Sequence, residues 1–171
     1  FLSSIVALDP DDGAYVWHYQ TTPGETWDYT ATQPIMVATL PIDGVDRRVV
    51  MQAPKNGFFY VLDAATGSFI SAEPFATVNW AFSIDQETGR PNENPAARFD
   101  QTGQAFAVQP GPGGAHNWQP MAFDPDTGMV YLTATDSVFS YAQDRNFDPN
   151  PLTSNLGIDP AAAATELGPN A

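Results

Sequence analysis

The sequence contains no cysteine and few basic residues. Its 171 residues include six Lys and Arg against twenty Asp and Glu, a formal net charge of −14. Without cysteine, the chain cannot form disulfides, thiolate metal sites, a cysteine nucleophile or a C-x-x-C-H haem attachment. With so few basic residues, no patch can neutralise phosphates. We therefore expect no binding to nucleic acid or to an anionic membrane surface.

Long apolar runs are also missing. No stretch of about 18 apolar residues is present, so the sequence predicts no membrane-spanning helix. Thirteen Gly and sixteen Pro argue against long helices. The 43% hydrophobic content argues for a folded chain rather than a disordered one. Because the chain opens in a strand-like run at 4–8, with neither Met nor a signal-peptide layout, we expect an internal piece of a longer protein.

A turn pattern recurs along the chain. An Asp followed four positions later by Gly is found at 9–13, 63–67 and 124–128, each time between β-rich runs. Asp caps a tight turn and Gly supplies a positive φ, so each pair predicts a hairpin connection. Repeats of this length, built from short strands, are typical of β-propeller blades. The sequence therefore predicts an all-β propeller segment, although three unrelated turns would show the same spacing.

The predicted strands are short and rich in β-branched and aromatic residues. They lie at 15–19, 35–40, 48–52, 57–62, 121–123 and 129–133, and Asp43-Gly44 predicts a hairpin turn between two of them. By contrast, 85–114 is rich in Gly and Pro and predicts a long irregular excursion. We divide the chain into partial propeller blades over 1–145 and an irregular Pro- and Ala-rich connection over 146–171. In that connection, the alanine run 161–164 is the part that favours a short helix.

Three loops place polar side chains beside aromatic residues or glycines. Asp28 lies between Trp and Tyr, where an apolar setting would make a carboxylate a better proton acceptor, although this motif taken alone favours a turn-capping role. Lys55 is the sole lysine and precedes an aromatic strand. It can stabilise a bound anion or quinone oxygen, or be a solvated turn residue. Asn117 follows a Gly-Gly pair and can donate to a ligand beside Trp118, or serve only the loop's structure.

Taken together, these loops resemble the quinoprotein alcohol dehydrogenases, which use pyrroloquinoline quinone (PQQ). The resemblance covers 4–135 nearly continuously and is closest to the ethanol-oxidising and quinohaemoprotein branch, where a Lys occupies position 55 and methanol dehydrogenases have Arg. It is carried, in the family's order, by SIVALDPDDGAYVWHYQTTPGETWDYTATQP, APKNGFFYVLDAATGSFISAEPF, VNWAFSIDQETGRPNENP and GPGGAHNWQPMAFDPDTGMVYL.

The resemblance implies a fold and a site. The family fold is an eight-bladed β-propeller of four-stranded antiparallel sheets, of which this chain would form about two to three blades. PQQ lies near its axis beside Ca²⁺. Asp28 matches the catalytic aspartate, which takes the alcohol proton and approaches the metal, while Lys55 and Asn117 match residues that contact PQQ. Lanthanide-using relatives carry a second Asp at the position of Thr30, so we expect Ca²⁺ here.

The resemblance also implies an activity and a setting. The activity is oxidation of a primary alcohol to the aldehyde by hydride transfer to PQQ, with Ca²⁺ as Lewis acid. A cytochrome c-type electron acceptor and a periplasmic location go with it, and any haem c would belong to a domain outside this segment. The other Ca²⁺ ligands belong to earlier segments in the family, so we expect the isolated chain to be inactive.

Two alternatives stay open on the sequence. One is a propeller scaffold or binding module that has lost its chemistry, and the other is a related quinoprotein acting on sugars or aldehydes. The presence of Asp28, Lys55 and Asn117 together favours an enzyme, since a scaffold needs none of them.

Overall fold

Nearly all regular structure in the chain is extended. The computed structural model describes residues 1–167, which form twelve strands, one 3-10 turn and two helices. The strands are β1 (Ser4–Leu8), β2 (Tyr15–Gln20), β3 (Met36–Ile42), β4 (Val45–Gln52), β5 (Phe58–Asp63), β6 (Phe69–Pro74), β7 (Ala81–Ile84), β8 (Pro91–Glu93), β9 (Phe106–Val108), β10 (Ala122–Asp124), β11 (Met129–Tyr131) and β12 (Phe139–Tyr141). The 3-10 turn spans Pro95–Ala97, and the helices are α1 (Phe99–Thr102) and α2 (Pro160–Leu167).

A complete four-stranded sheet lies in the first half of the chain. β3, β4, β5 and β6 pair antiparallel in that order, so the chain forms a meander. Asp43 and Gly44 connect β3 to β4 with φ angles of 51° and 75°. Two positive φ angles in a two-residue connection are the geometry of a type I′ hairpin. The hairpin predicted here is confirmed.

The remaining strands pair two by two. The antiparallel pairs are β1–β2, β7–β8, β9–β12 and β10–β11. In the sequence, the β10–β11 hairpin therefore lies between β9 and β12, which pair with each other in a separate sheet. All six predicted strands are present, with ends shifted by a few residues. The irregular excursion predicted over 85–114 is wrong, because β8, the 3-10 turn, α1 and β9 lie inside it. Pro91 opens β8, and the first residue of a strand is where proline is tolerated.

The Asp-to-Gly turns share one geometry. In each, the Gly N–H donates to the Asp carbonyl oxygen at 2.8–2.9 Å, and the Gly φ lies between 67° and 74°. The three predicted turns are confirmed. A fourth turn, at 85–89, has the same spacing and was missed. Hydrogen bonds from the Thr three residues later hold the pKa of Asp63, Asp85 and Asp124 below its usual range.

Two of these turn glycines are packing sites for aromatic side chains from elsewhere in the chain. A Cβ on Gly67 would lie 2.5 Å from the Trp17 ring, whose Nε1–H donates to the Ala64 carbonyl at 3.2 Å. A Cβ on Gly89 would lie 2.7 Å from the Phe69 ring. The hydrogen at these glycines therefore lets separate sheets close on one aromatic core.

The end of the described chain is helical. Asp159 Oδ1 accepts hydrogen bonds from the N–H groups of Ala161 and Ala162 at 2.9 and 3.0 Å, which caps α2. α2 packs on β12 and β9 and buries Ala163 completely. The connection over 146–171 is thus not irregular at 160–167, and the division of the chain at 145 stays a prediction. None of the helices in the described residues is long and apolar enough to cross a membrane.

Candidate active site

Asp28 lies in the loop between β2 and β3 with a left-handed backbone. Its φ is 67°, a conformation that costs a non-glycine residue about 1–3 kcal/mol and persists where the surroundings hold it. Its side chain is 64% exposed. The predicted apolar setting is therefore wrong for the carboxylate in this chain, although it holds for the neighbouring residues.

The neighbours of Asp28 anchor the loop in the core. Trp27 and Tyr29 are fully buried, and both rings pack against Trp80 at centroid distances of 5.3 and 5.8 Å. Trp27 Nε1–H donates to the Ala97 carbonyl at 3.0 Å, and the Tyr29 hydroxyl donates to the Pro110 carbonyl. The two aromatic side chains therefore point inward while Asp28 between them points outward.

A buried arginine holds the turn that precedes Asp28. The Arg98 guanidinium binds the Glu93 carboxylate at 2.8 and 2.5 Å and lies 4.3 Å from the Trp27 ring centroid. It also donates to the Pro23 carbonyl at 3.0 Å and to the Gly24 carbonyl. A planar guanidinium can serve a carboxylate, two carbonyls and an aromatic face together. Arg98 was missed in the sequence, where only its rarity as one of six basic residues set it apart.

Lys55 brings its positive charge to Asp28. Its Nζ lies 3.0 Å from Asp28 Oδ2, and its side chain is 11% exposed. The solvated-turn alternative is thus excluded. The backbone of Gly114 lies directly on the lysine stem, and Ala115 N–H donates to the Lys55 carbonyl at 3.0 Å. The pair joins two predicted site residues that are 27 positions apart in the sequence.

Asn117 lies in the loop that covers Lys55. Its Nδ2 donates to the Gly113 carbonyl at 3.0 Å, so the amide is held within its own loop. Among the hydrogen bonds and ion pairs described for residues 1–167, none joins Asn117 to Asp28 or Lys55. The adjacent His116 is buried, with Nδ1 lying 2.7 Å from the Ala53 carbonyl oxygen and Nε2 2.8 Å from that of Gln119. These contacts fix the Asn117 loop to the segment that carries Lys55.

A cavity opens beside Asp28. It measures about 550 Å³ and has an apolar side formed by Phe139, Tyr141, Leu156 and Ile158. The Tyr141 hydroxyl donates to the Trp27 carbonyl at 2.7 Å. Burial raises the pKa of Tyr141, and the negative charges of Asp28 and Glu25 add to the effect. Tyr141 is therefore a neutral hydrogen-bond donor at physiological pH, and its role was not foreseen from the sequence.

The described residues supply one carboxylate, that of Asp28, to a metal ion at this site and do not complete its coordination shell. Within 1–167, no group of three or more His, Cys, Asp or Glu side chains is placed to hold a metal ion. The Lys55 ammonium and the Asn117 amide are donors of the kind that suit quinone oxygens, and Asp28 suits a hard cation. The residues present therefore fit part of a quinone and calcium site.

The sequence is similar to those of known proteins of one family. The family described as PQQ: glucose/ethanol/alcohol dehydrogenase, β-propeller domain, matches residues 1–72. The chain is 51% identical over 160 residues to the dehydrogenase subunit of an alcohol dehydrogenase (quinone) from Komagataeibacter europaeus, covering 93% of this chain and 22% of that protein.

Solved structures show the same relationship. The quinohemoprotein alcohol dehydrogenase ADHIIG from Pseudomonas putida HK5 superposes with a TM-score of 0.89 at 48% identity, over 93% of this chain and 24% of that one. A europium-containing methanol dehydrogenase gives 0.78 at 35% identity, over 84% and 25%. The four-stranded meander, the repeated turns and these neighbours define a β-propeller segment. The chain belongs to the PQQ-dependent quinoprotein alcohol dehydrogenase family, and it spans about a quarter of the length of these relatives or less.

Proposed function

We propose that this chain supplies the proton acceptor and the quinone-contacting lysine of an enzyme that oxidises primary alcohols to aldehydes. The observation that carries the proposal is the 3.0 Å contact between the buried Lys55 ammonium and the exposed Asp28 carboxylate. A scaffold does not require a buried cation at a carboxylate on a cavity wall, whereas oxidation of a hydroxyl group can use the carboxylate to accept a proton and the cation to stabilise developing negative charge.

Asp28 accepts the proton of the alcohol hydroxyl. Its carboxylate lines the cavity beside Tyr141, and its fixed loop presents it to a substrate placed there. Proton transfer to a positioned side chain accelerates a reaction by about 10²–10⁴-fold. Lys55 Nζ contacts Asp28 Oδ2. We therefore propose that Asp28 Oδ1 accepts the proton or binds a cation.

Lys55 and Asn117 would hold the quinone oxygens. PQQ would supply the hydride acceptor and Ca²⁺ the Lewis acid. Because the Lys55 head is mostly buried, its charge is little screened by water and acts on negative charge that develops nearby. The Asn117 amide adds a neutral donor from the covering loop. Asp28 is the one predicted metal ligand in this chain, and we propose that the others come from elsewhere in the protein.

The metal we propose is Ca²⁺. Position 30 carries Thr, whose Oγ1 lies 3.2 Å from Thr32 Oγ1, so no second carboxylate stands at the position where lanthanide-using relatives have one. With one carboxylate fewer, the site offers less negative charge to balance a trivalent ion, which favours divalent Ca²⁺. Metal analysis of the full-length holoenzyme checks this assignment, and a bound lanthanide would contradict it.

The cellular location and the electron acceptor are also part of the proposal. From the resemblance to this family, we propose a periplasmic location and a cytochrome c-type electron acceptor. The net charge of −14 suits association with a basic partner. Any haem c would be carried outside this segment.

The test uses the full-length protein that contains this segment, loaded with PQQ and Ca²⁺. Dye reduction is measured with a primary alcohol, an aldose and an aldehyde as separate substrates. We expect the alcohol to be preferred and Asp28→Asn to abolish its turnover, while the exposed control Asp126→Asn has no effect. Full turnover by Asp28→Asn would overturn the assignment of the base, and preference for the aldose or aldehyde would overturn the substrate class.

A further inference from the structure

A carboxylate inside the loop binds the backbone on both sides of Asp28. Glu25 Oε1 lies 2.5 Å from the Trp27 nitrogen and 2.7 Å from the Tyr29 nitrogen. Both donors belong to fully buried residues. Backbone N–H groups in such positions need a partner, and here one side-chain oxygen serves both.

This arrangement accounts for the left-handed conformation of Asp28. Two backbone N–H groups that are separated by one residue and converge on one oxygen form a concave anion site. The residue between them then takes a left-handed conformation. Asp28 is that residue, with φ at 67°. In an extended conformation the two N–H groups would lie nearly parallel and about 6.6 Å apart, too far to share one oxygen, and the Cβ of Asp28 would leave on a different side of the loop.

The same turn sets where the Asp28 carboxylate lies. Trp27 and Tyr29 are fixed by the core, so the backbone between them determines the direction of the Asp28 side chain. That direction brings Oδ2 to 3.0 Å from Lys55 Nζ. Among the hydrogen bonds described for residues 1–167, Glu25 contacts neither Lys55 nor the Asp28 carboxylate, so the contacts by which it can position Asp28 are those with the backbone.

We propose that Glu25 is a positioning residue for Asp28. Its carboxylate occupies the anion site formed by Trp27 N–H and Tyr29 N–H, holds Asp28 left-handed, and thereby keeps the Asp28 carboxylate against Lys55. The consequence for turnover rests on the proposed function of Asp28, whereas the consequence for the backbone does not.

The backbone consequence is tested by hydrogen exchange on the full-length protein. Glu25→Ala removes the acceptor, and Glu25→Gln keeps one neutral oxygen of the same reach. We expect exchange at the Trp27 and Tyr29 amides to be at least tenfold faster in Glu25→Ala and intermediate in Glu25→Gln. The control Glu87→Gln changes an exposed turn residue and leaves both amides unchanged. Unchanged exchange in both Glu25 variants would overturn the proposal. If Glu25→Ala does not fold, Glu25→Gln alone decides it in the same way.

A double-mutant cycle isolates the conformation of Asp28. Glycine adopts a positive φ without strain, whereas Asp28 can release its strain only by leaving the left-handed conformation once Glu25 is gone. We expect Glu25→Ala to lower the Tm by several degrees in the parent protein and by more in the Asp28→Gly background, where no strain is released to offset the lost contacts. Equal losses in the two backgrounds would show that Asp28 stays left-handed without Glu25, which contradicts the proposal.

Kinetics connect this role to catalysis. Glu25→Ala is expected to lower kcat at least tenfold with KM and bound PQQ unchanged, and Glu25→Gln to restore part of kcat. An unchanged kcat together with faster exchange would refute the link between the loop and the reaction. If Asp28→Asn keeps full turnover, the proposed function fails, while exchange and the Tm cycle still decide the role of Glu25.

Discussion

Gly114 lies so close to Lys55 that a side chain at this position has no space. A Cβ built on Gly114 would stand 2.4 Å from Lys55 Cγ and 2.7 Å from its Cα, and the φ of Gly114 is 81°. The glycine thus forms the wall that directs the lysine stem toward Asp28. In the Gly-Gly pair noted in the sequence, Gly114 thus makes room for the stem of Lys55.

Gly114→Ala should therefore damage both stability and activity. Overpacking costs about 1–3 kcal/mol, and the left-handed backbone adds strain for alanine. We expect a lower free energy of unfolding, measured by urea denaturation, and a loss of alcohol-dependent turnover as Lys55 moves from Asp28. Gly113→Ala is the matched control, because nothing lies within 4 Å of a Cβ there. Equal behaviour of the two variants would show that the contact with Lys55 has no consequence.

Lys55→Met should separate activity from stability. Met keeps an apolar stem in the buried channel and removes the ammonium. Asp28 is 64% exposed, so its carboxylate stays solvated without its partner, and the pair should contribute only about 0–1 kcal/mol to folding. Loss of one donor to developing negative charge lowers kcat by about 10²–10³-fold. We expect a nearly unchanged Tm with a kcat reduced to that extent, measured on the PQQ-loaded enzyme. A large fall in Tm with normal kcat would assign Lys55 to the fold alone.

The sequence predicted those parts of the fold that local chemistry determines. Asp43-Gly44 specifies a two-residue hairpin because both φ angles are positive, and Asp and Gly tolerate this. The turn at 85–89 has the same signal and was missed because the neighbouring prolines suggested a loop. The pairing of β9 with β12 had no local signal, since a separate hairpin lies between the two strands.

The site was predictable as a set of residues but not as a geometry. The loops identified Asp28, Lys55 and Asn117, yet nothing local shows that Asp28 and Lys55 touch across 27 positions while Asn117 binds its own loop. Glu25 was not singled out, although it lies three residues from Asp28, because an acidic residue after Pro-Gly reads as an ordinary turn. Arg98 acts 75 positions away on Pro23, and such a contact depends on the tertiary fold.

Arg98→Lys should destabilise the protein despite conserving the charge. An ammonium cannot bind the Glu93 carboxylate and the carbonyls of Pro23 and Gly24 together as the guanidinium does. A fully buried acceptor left without a donor costs about 1–3 kcal/mol, and the acceptors around Arg98 are part-buried. We expect a loss of about 1–3 kcal/mol in urea unfolding, together with a lower kcat because the turn before Glu25 loosens. Arg90→Lys is the control, since Arg90 is exposed and its guanidinium makes only one hydrogen bond among those described for residues 1–167, a long one of 3.5 Å to the Gln20 carbonyl. A loss no larger than that of the control would contradict this role for Arg98.

Alkaline pH should unfold the protein through its buried tyrosines. Burial raises the pKa of Tyr19 to about 12, against an ordinary value of 10.0, and the attraction of Arg90 only partly offsets it. Burial also raises the pKa of Tyr29 and Tyr60. The unfolded chain therefore releases these protons at lower pH than the folded one, so the stability they contribute is complete below pH 10 and falls as pH rises through 12.

Denaturant unfolding between pH 8 and pH 12 measures this loss. Each tyrosine that is ionised in the unfolded state and neutral in the folded state lowers the free energy of unfolding by about 1.4 kcal/mol per pH unit. Tyr19→Phe removes one titrating group and one hydrogen bond to the Gly89 carbonyl, so it should be less stable at pH 8 and show a shallower slope above pH 10. Tyr15→Phe, on an exposed strand position, is the control and should keep the parent slope. A slope in Tyr19→Phe equal to that of the parent would show that Tyr19 ionises in the folded protein as readily as in the unfolded chain.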